Sequence, residues 1–218
     1  MRRVAMLKMS VSNQQVAIAG KVLEGETEKV ISGAIVEIIE MPERFRAILS
    51  LKALQYGLQW EKMLERPDRK ITTSDGSFHF INLPVGEYTL ETFLPRSGTR
   101  YNKGRKTVKI SSDVKNGKIP TIMMDIVLLP TGIKGTITDA DEPSKAVVNA
   151  KLQIQDSGDS TLSDQKGNYR LLALESSELG QRTVNLIVKA TGYQLASTSL
   201  VIKRGEVITN QNFSLKRK

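Results

Sequence analysis

Thr73-Ser74-Asp75-Gly76-Ser77-Phe78-His79-Phe80-Ile81-Asn82-Leu83-Pro84-Val85-Gly86-Glu87-Tyr88-Thr89-Leu90 is the stretch whose reading decides the fold. Asp75-Gly76 is a tight-turn pair, and Pro84-Val85-Gly86 turns the chain a second time. Between them Phe78 and Phe80 stand two apart, so both point to one face of a strand while His79 points to the other. Tyr88 and Leu90 repeat the same period after the second turn. Turn, alternating strand, turn, alternating strand is the rhythm of an antiparallel sheet with one buried face.

A second, diverged copy follows. Ile18-Ala19-Gly20-Lys21-Val22 matches Ile133-Lys134-Gly135-Thr136-Ile137, and Gly33-Ala34-Ile35-Val36-Glu37-Ile38 matches Asn149-Ala150-Lys151-Leu152-Gln153-Ile154. Lys166-Gly167-Asn168-Tyr169-Arg170-Leu171 answers Asp75-Gly76-Ser77-Phe78-His79-Phe80. The offset between copies falls from 115–116 in the first matches to 91 in the last, so the first copy carries about 25 extra residues between Glu40 and Lys70. Further alternation at Val108/Ile110, Val184/Leu186/Val188 and Leu200/Ile202, with turns at Asn116-Gly117, Ser157-Gly158-Asp159 and Arg204-Gly205, gives about seven short strands per copy. The expected architecture is mainly β: two immunoglobulin-like or transthyretin-like sandwiches in tandem. The expected boundaries are a tail over 1–13, a first sandwich over 14–130 with a helical insertion over 42–66, and a second sandwich over 131–218. Leu129-Pro130-Thr131-Gly132 is the expected hinge. Phe78, Phe80, Tyr88 and Leu90 are expected in one core, and Tyr169, Leu171, Leu186 and Val188 in the other.

The quoted stretch, with Gly20-Lys21-Val22 and Gly33-Ala34-Ile35-Val36 before it, resembles the carboxypeptidase regulatory-like domain, a transthyretin-like sandwich. That family runs T-x-D-x-x-G-x-F-x-F-x-x-L-P-x-G-x-Y-x-L. The first copy shortens its turn to Asp75-Gly76. The second keeps Asp164-Gln165-Lys166-Gly167 but has Leu174-Glu175-Ser176-Ser177-Glu178-Leu179-Gly180 in place of L-P-x-G. The resemblance implies fold, and it implies no catalysis: in carboxypeptidases this sandwich is an accessory to a zinc catalytic domain, and no such domain fits here. Some related sandwiches form Lys–Asn isopeptide cross-links; no residues here single themselves out as partners.

Composition excludes much chemistry. Of 218 residues none is Cys and one is His, which removes disulfides, thiolate zinc, iron–sulfur clusters, Cys nucleophiles and multi-histidine metal sites. His79 sits on the polar side of its strand and is expected to carry no catalysis. Asp139, Asp141 and Glu142 could frame a calcium loop; a polar turn is the favoured reading. No cofactor is expected. The net charge is +9, which draws polyanions or acidic proteins. The arginines of Met1-Arg2-Arg3 precede only four apolar residues before Lys8, too few for a secretory core. The run from Ile119 to Leu129 is broken by Pro120 and Asp125, so no spanning helix is expected. A cytoplasmic location follows as the expectation.

Two segments remain as candidate sites. Residues 42–66 begin at Pro42 and stop at Pro67, both signals for the limits of a helix. On a 100° wheel Phe45, Leu49, Tyr56, Trp60 and Met63 share one side; Leu51, Leu54 and Leu58 fall nearly opposite. One apolar side docks the helix on its own sandwich, and the other needs a partner, unless Gly57 divides the helix and both sides pack on one core. Either Tyr56/Trp60/Met63 or Leu51/Leu54/Leu58 is the expected protein interface. The second segment, residues 95–106, holds Arg96, Arg100, Lys103, Arg105 and Lys106 with no acid. It is expected to meet an acidic protein surface rather than nucleic acid, because the remaining positive charge is spread over both units. The leading functional expectation is a non-catalytic accessory subunit of a larger protein assembly, similar to those of phage-tail-like contractile injection particles. The alternatives are a carbohydrate- or ligand-binding module, for which Tyr101 and Tyr193 are the loop aromatics, and a polyanion or nucleic-acid binder.

Overall fold

The computed structural model describes residues 15–112 and 120–218. The 1–13 tail and the Asn116-Gly117 turn lie outside the described residues.

The first unit begins with β1 (Val16–Glu24), followed by β2 (Ile35–Glu40). The insertion comes next: α1 (Glu43–Tyr56), then a 3₁₀ turn (Gly57–Lys62). Six strands complete the unit: β3 (Arg69–Ile71), β4 (Ser77–Ile81), β5 (Gly86–Phe93), β6 (Gly104–Ile110), β7 (Ile122–Met123) and β8 (Ile126–Leu128). One sheet has the order β3-β2-β5-β6; the other has β4-β1-β7, with β8 also on β1. The second unit runs β9 (Gly132–Asp139), β10 (Lys151–Ile154), β11 (Ser160–Leu162), β12 (Asn168–Leu172), β13 (Gln181–Lys189), β14 (Ala196–Lys203), β15 (Val207–Ile208) and β16 (Phe213–Leu215). Its sheets, β11-β10-β13-β14 and β12-β9-β15 with β16 on β9, repeat the first unit strand for strand. The internal repeat in the sequence is thus a repeat of topology, and the insertion lies between β2 and β3, where β10 and β11 are joined directly.

Each unit closes its own core. Ile18, Val22, Phe78, Phe80, Tyr88, Leu90, Ile110, Ile126 and Leu128 are buried in the first. Ile133, Ile137, Leu152, Tyr169, Leu171, Leu186, Val188 and Ile202 are buried in the second. All eight core positions expected from the sequence are among the buried residues. His79 is exposed between its two buried aromatic neighbours, as the period of two requires.

The insertion departs from a single helix over 42–66. α1 ends at Tyr56 because Gly57 takes a left-handed φ of 53°, a conformation open to glycine and costly to other residues. The following 3₁₀ turn advances about 120° per residue rather than 100°. It therefore rotates Trp60 and Leu58 away from the positions assigned by the wheel. Phe45 is buried edge-on to Tyr88, with ring centroids 5.9 Å apart. Trp60 is buried under Arg66, whose guanidinium lies 5.0 Å from its ring centre. Arg66 is itself clamped by Glu37 of β2 (2.8 Å) and Asp68 (3.0 Å). Two aromatic anchors and a buried ion cluster thus fasten the insertion to its own sandwich.

Candidate functional site

The two apolar sides of the insertion have different fates. Trp60 packs within the chain, Tyr56 stacks on it at 6.2 Å, and Met63 is partly buried. Trp60 and the partly buried Met63 thus face the chain's own sandwich, while Tyr56 is 44% exposed. Leu51, Leu54 and Leu58 are 68%, 81% and 90% exposed. Leu51 and Leu54, three residues apart, form an exposed ridge on α1, and Leu58 is exposed on the 3₁₀ turn beyond it.

Two clefts flank α1. One, of about 430 Å³, lies between the insertion and β3–β4 and is lined by Phe45, Ile48, Lys52, Trp60, Met63 and Ile81 among others. The other, also about 430 Å³, opens between Ile48, Arg44 and the Asn82-Leu83-Pro84-Val85 turn. A polar groove of about 670 Å³ lies on the second unit, between Lys134, Thr136, Asn168, Arg170, Asn210 and Asn212. Tyr101 and Tyr193 are both half-buried, and the Tyr193 hydroxyl donates to Asp139 at 2.9 Å.

Four of the five basic residues of the run have partners within the chain. Lys103 Nζ and Arg105 Nη2 each lie 2.7 Å from the Glu91 carboxylate of β5. The hydrogen bond from Lys103, outweighing burial and joined by Arg105, holds that carboxyl below its usual range. Lys106 Nζ donates to the Asp125 carbonyl at 2.6 Å. Arg105 and Lys106 belong to strand β6 rather than to a loop. Only Arg96 of the five is exposed with no partner among the described residues.

Arg100 has the most consequential role. The connection between β5 and β6 has ten residues, 94–103, and its counterpart between β13 and β14 has six, 190–195. The longer loop reaches the second unit. Arg100 Nη1 donates to Asp159 Oδ1 at 2.9 Å and to the Ala173 carbonyl. The Thr131 amide donates to the Arg100 carbonyl at 2.8 Å, and the Leu174 amide to the Thr131 carbonyl at 2.9 Å. Arg204 Nε donates to the Tyr101 carbonyl at 2.8 Å, and Lys134 Nζ pairs with Glu26 at 2.6 Å. Pro130, Thr131 and Gly132 are buried. Thr131 of the short linker is therefore bonded to Arg100 of the first unit and to Leu174 of the second. Asp159 is held below the ordinary carboxylate range: burial opposes ionisation, and the Ser157 hydroxyl and Arg100 overcome it. Arg100→Ala is expected to leave both cores folded while loosening the joint. Amide exchange at Thr131 and Leu174 should accelerate at least about tenfold, since a partly buried charged hydrogen bond is lost. Unchanged protection there would remove Arg100 from this role.

Asp139 and Glu142 both pair with Arg217 near the end of the chain. Asp139 is buried at the end of β9, and its carboxylate receives Arg217 Nε (2.7 Å), the Tyr193 hydroxyl (2.9 Å) and the Asp141 amide (2.9 Å). Among the described residues no group of three or more His, Cys, Asp or Glu side chains is arranged to hold a metal ion. Glu24, at the equivalent end of β1, accepts the Thr27 amide at 2.7 Å in the same manner. Burial works against the Asp139 charge, but Arg217, the Asp141 amide and Tyr193 prevail and hold its carboxyl well below the ordinary value. A depressed folded-state pKa contributes stability above the unfolded value near 3.8, lost as pH falls through the folded one. The second unit should therefore lose stability as pH drops below about 4, and Asp139→Asn should flatten that slope. Urea melts of both proteins at pH 3 and pH 7 measure it; parallel slopes would contradict the assignment.

The fold and these sites define a tandem β-sandwich protein with one helical insertion. Among the described residues no helix is long and apolar enough to cross a membrane. No family model matches the chain, and no curated protein matches it. Among solved structures it is similar to the Bacillus anthracis TIE protein, with 18% identity over 93% of this chain and a TM-score of 0.32. The chain spans 34% of that protein's length. It is also similar to a double mutant of the shaft pilin SpaA from Lactobacillus rhamnosus GG, at 12% identity over 94% of this chain and 98% of the pilin, with a TM-score of 0.43. A streptococcal ancillary pilin aligns at 16% identity over 96% of this chain and 64% of its own, with a TM-score of 0.35.

Proposed function

We propose that the chain is a non-catalytic structural subunit that joins a larger protein assembly through the outer ridge of its insertion. The observation that carries this reading is the exposure of Leu51, Leu54 and Leu58 on a segment whose other side is already anchored. The second sandwich folds in the same topology without such a segment, so the fold does not require it. Three leucines kept in water gain about 1.5–3 kcal/mol each if a partner covers them fully. The units over 14–130 and 131–218, bonded at their joint, would present this ridge at a fixed orientation. The finer reading, from the family resemblance, is an accessory subunit of a contractile injection particle assembled in the cytoplasm, with Arg96 left to meet an acidic partner.

The test is the double substitution Leu54→Glu with Leu58→Glu. Both side chains are exposed, so the melting temperature should stay within about 2 °C of wild type, while co-purification with the native assembly falls at least about tenfold. Normal assembly of the double variant would sink the proposal.

A further inference from the structure

We propose that the cleft between the insertion and β3–β4 binds a single-chain anionic amphiphile, its carboxylate on Lys52 and its hydrocarbon against Phe45, Ile48, Trp60 and Met63. The cleft measures about 430 Å³, within the ordinary range of small-ligand sites of roughly 300–1,000 Å³. Its wall is apolar at those four residues and at Ile81.

Charge sets the class of ligand. Lys52 is half-buried at the wall and has no ion pair or hydrogen bond among the described residues. A cation partly withdrawn from water and left without a partner is a favourable place for an anion. The other charged groups of the cleft are already matched. Arg66 is held by Glu37 and Asp68, and Glu65, the one acid in the lining, lies 3.7 Å from Lys70. The lining therefore has one cation to spare and no anion. A cationic amphiphile would meet repulsion, and a neutral one would leave Lys52 unmatched. The insertion supplies most of the wall, and the second sandwich has no such segment between β10 and β11. This site is separate from the leucine ridge: Leu51, Leu54 and Leu58 are not in its lining.

Trp60 is the only tryptophan of the chain and lies in the cleft wall, so its emission reports occupancy directly. The full-length protein would be titrated at pH 7 with decanoate below its micellar concentration, with decanol, and with phosphatidylglycerol vesicles. The expected result is a saturable change in Trp60 emission with decanoate, at an affinity about tenfold tighter than for decanol. Lys52→Gln should remove that preference, and Lys52→Arg, which keeps the charge, should retain it. Because Lys52 has no partner to lose, both variants should melt like wild type; were Lys52→Gln to misfold, the wild-type comparison of decanoate with decanol decides alone. Absence of a saturable change, equal affinity for decanoate and decanol, or a response confined to vesicles would overturn the proposal.

Discussion

Phe80→Ala will destabilise the first sandwich by about 3–5 kcal/mol, the sum of lost transfer energy and the cavity left behind. Phe80 is fully buried on β4, paired in register with Ile18 of β1, and lies edge-on to Phe78 at 6.2 Å. Its ring stands in a core shared with Tyr88 and Leu90, so no solvent can fill the space it vacates. Trp60 emission follows the unfolding of this unit, and a denaturant melt gives the free energy. His79 on the same strand provides the contrast. Its side chain faces water, so His79→Ala should fall within about 0.5 kcal/mol of wild type. A loss under about 1 kcal/mol for Phe80→Ala would place Phe80 outside the core and undo the strand register.

Alternation and turns made the sandwich legible because both depend on neighbours close in sequence. Phe78 and Phe80 face inward for the same reason as Tyr169 and Leu171, and both pairs are buried. The insertion was half legible. Its limits came from Pro42 and Pro67, but the wheel assumed one rotation per residue throughout, and Gly57 ended that regularity. The partners of the basic run were not legible, because charge in sequence does not show where an anion lies in space. Arg100 finds Asp159 fifty-nine residues on, in another unit. Its signal was length rather than charge: the loop that carries it outgrows its counterpart in the second copy. The role of Asp139 also left a trace. It stands at the same offset of 115 from Glu24 as Gly135 does from Gly20, and in both copies the acid ends the long central strand.

That shared offset leads to the second large effect: Gly20→Ala and Gly135→Ala will each cost about 3 kcal/mol or more, at the upper end of overpacking penalties. In each unit the last two strands run parallel to the central strand and are separated by a kink. At that kink the chain presses on the central strand. A Cβ on Gly20 would lie 1.6 Å from the Met124 carbonyl oxygen, and one on Gly135 would lie 2.1 Å from that of Gln211. Both obstacles are backbone, so no rotamer change relieves them. The kink is also held chemically. The Asp125 carboxylate accepts the Lys21 amide at 2.8 Å, and the Asn212 side-chain carbonyl accepts the Thr136 amide at 2.9 Å. Each replaces a ladder bond that the kink removes, so the kink cannot slide aside without leaving an amide unpaired. Gly158→Ala is the control: nothing lies within 4 Å of its added Cβ, and it should be near neutral. Gly20→Ala should lower the midpoint seen by Trp60. Gly135→Ala should instead speed amide exchange across β9–β16 and leave the Trp60 transition in place. A melt of either variant that overlays the Gly158→Ala curve would mean the close approach yields freely, and that the glycines recur in both copies for some other reason.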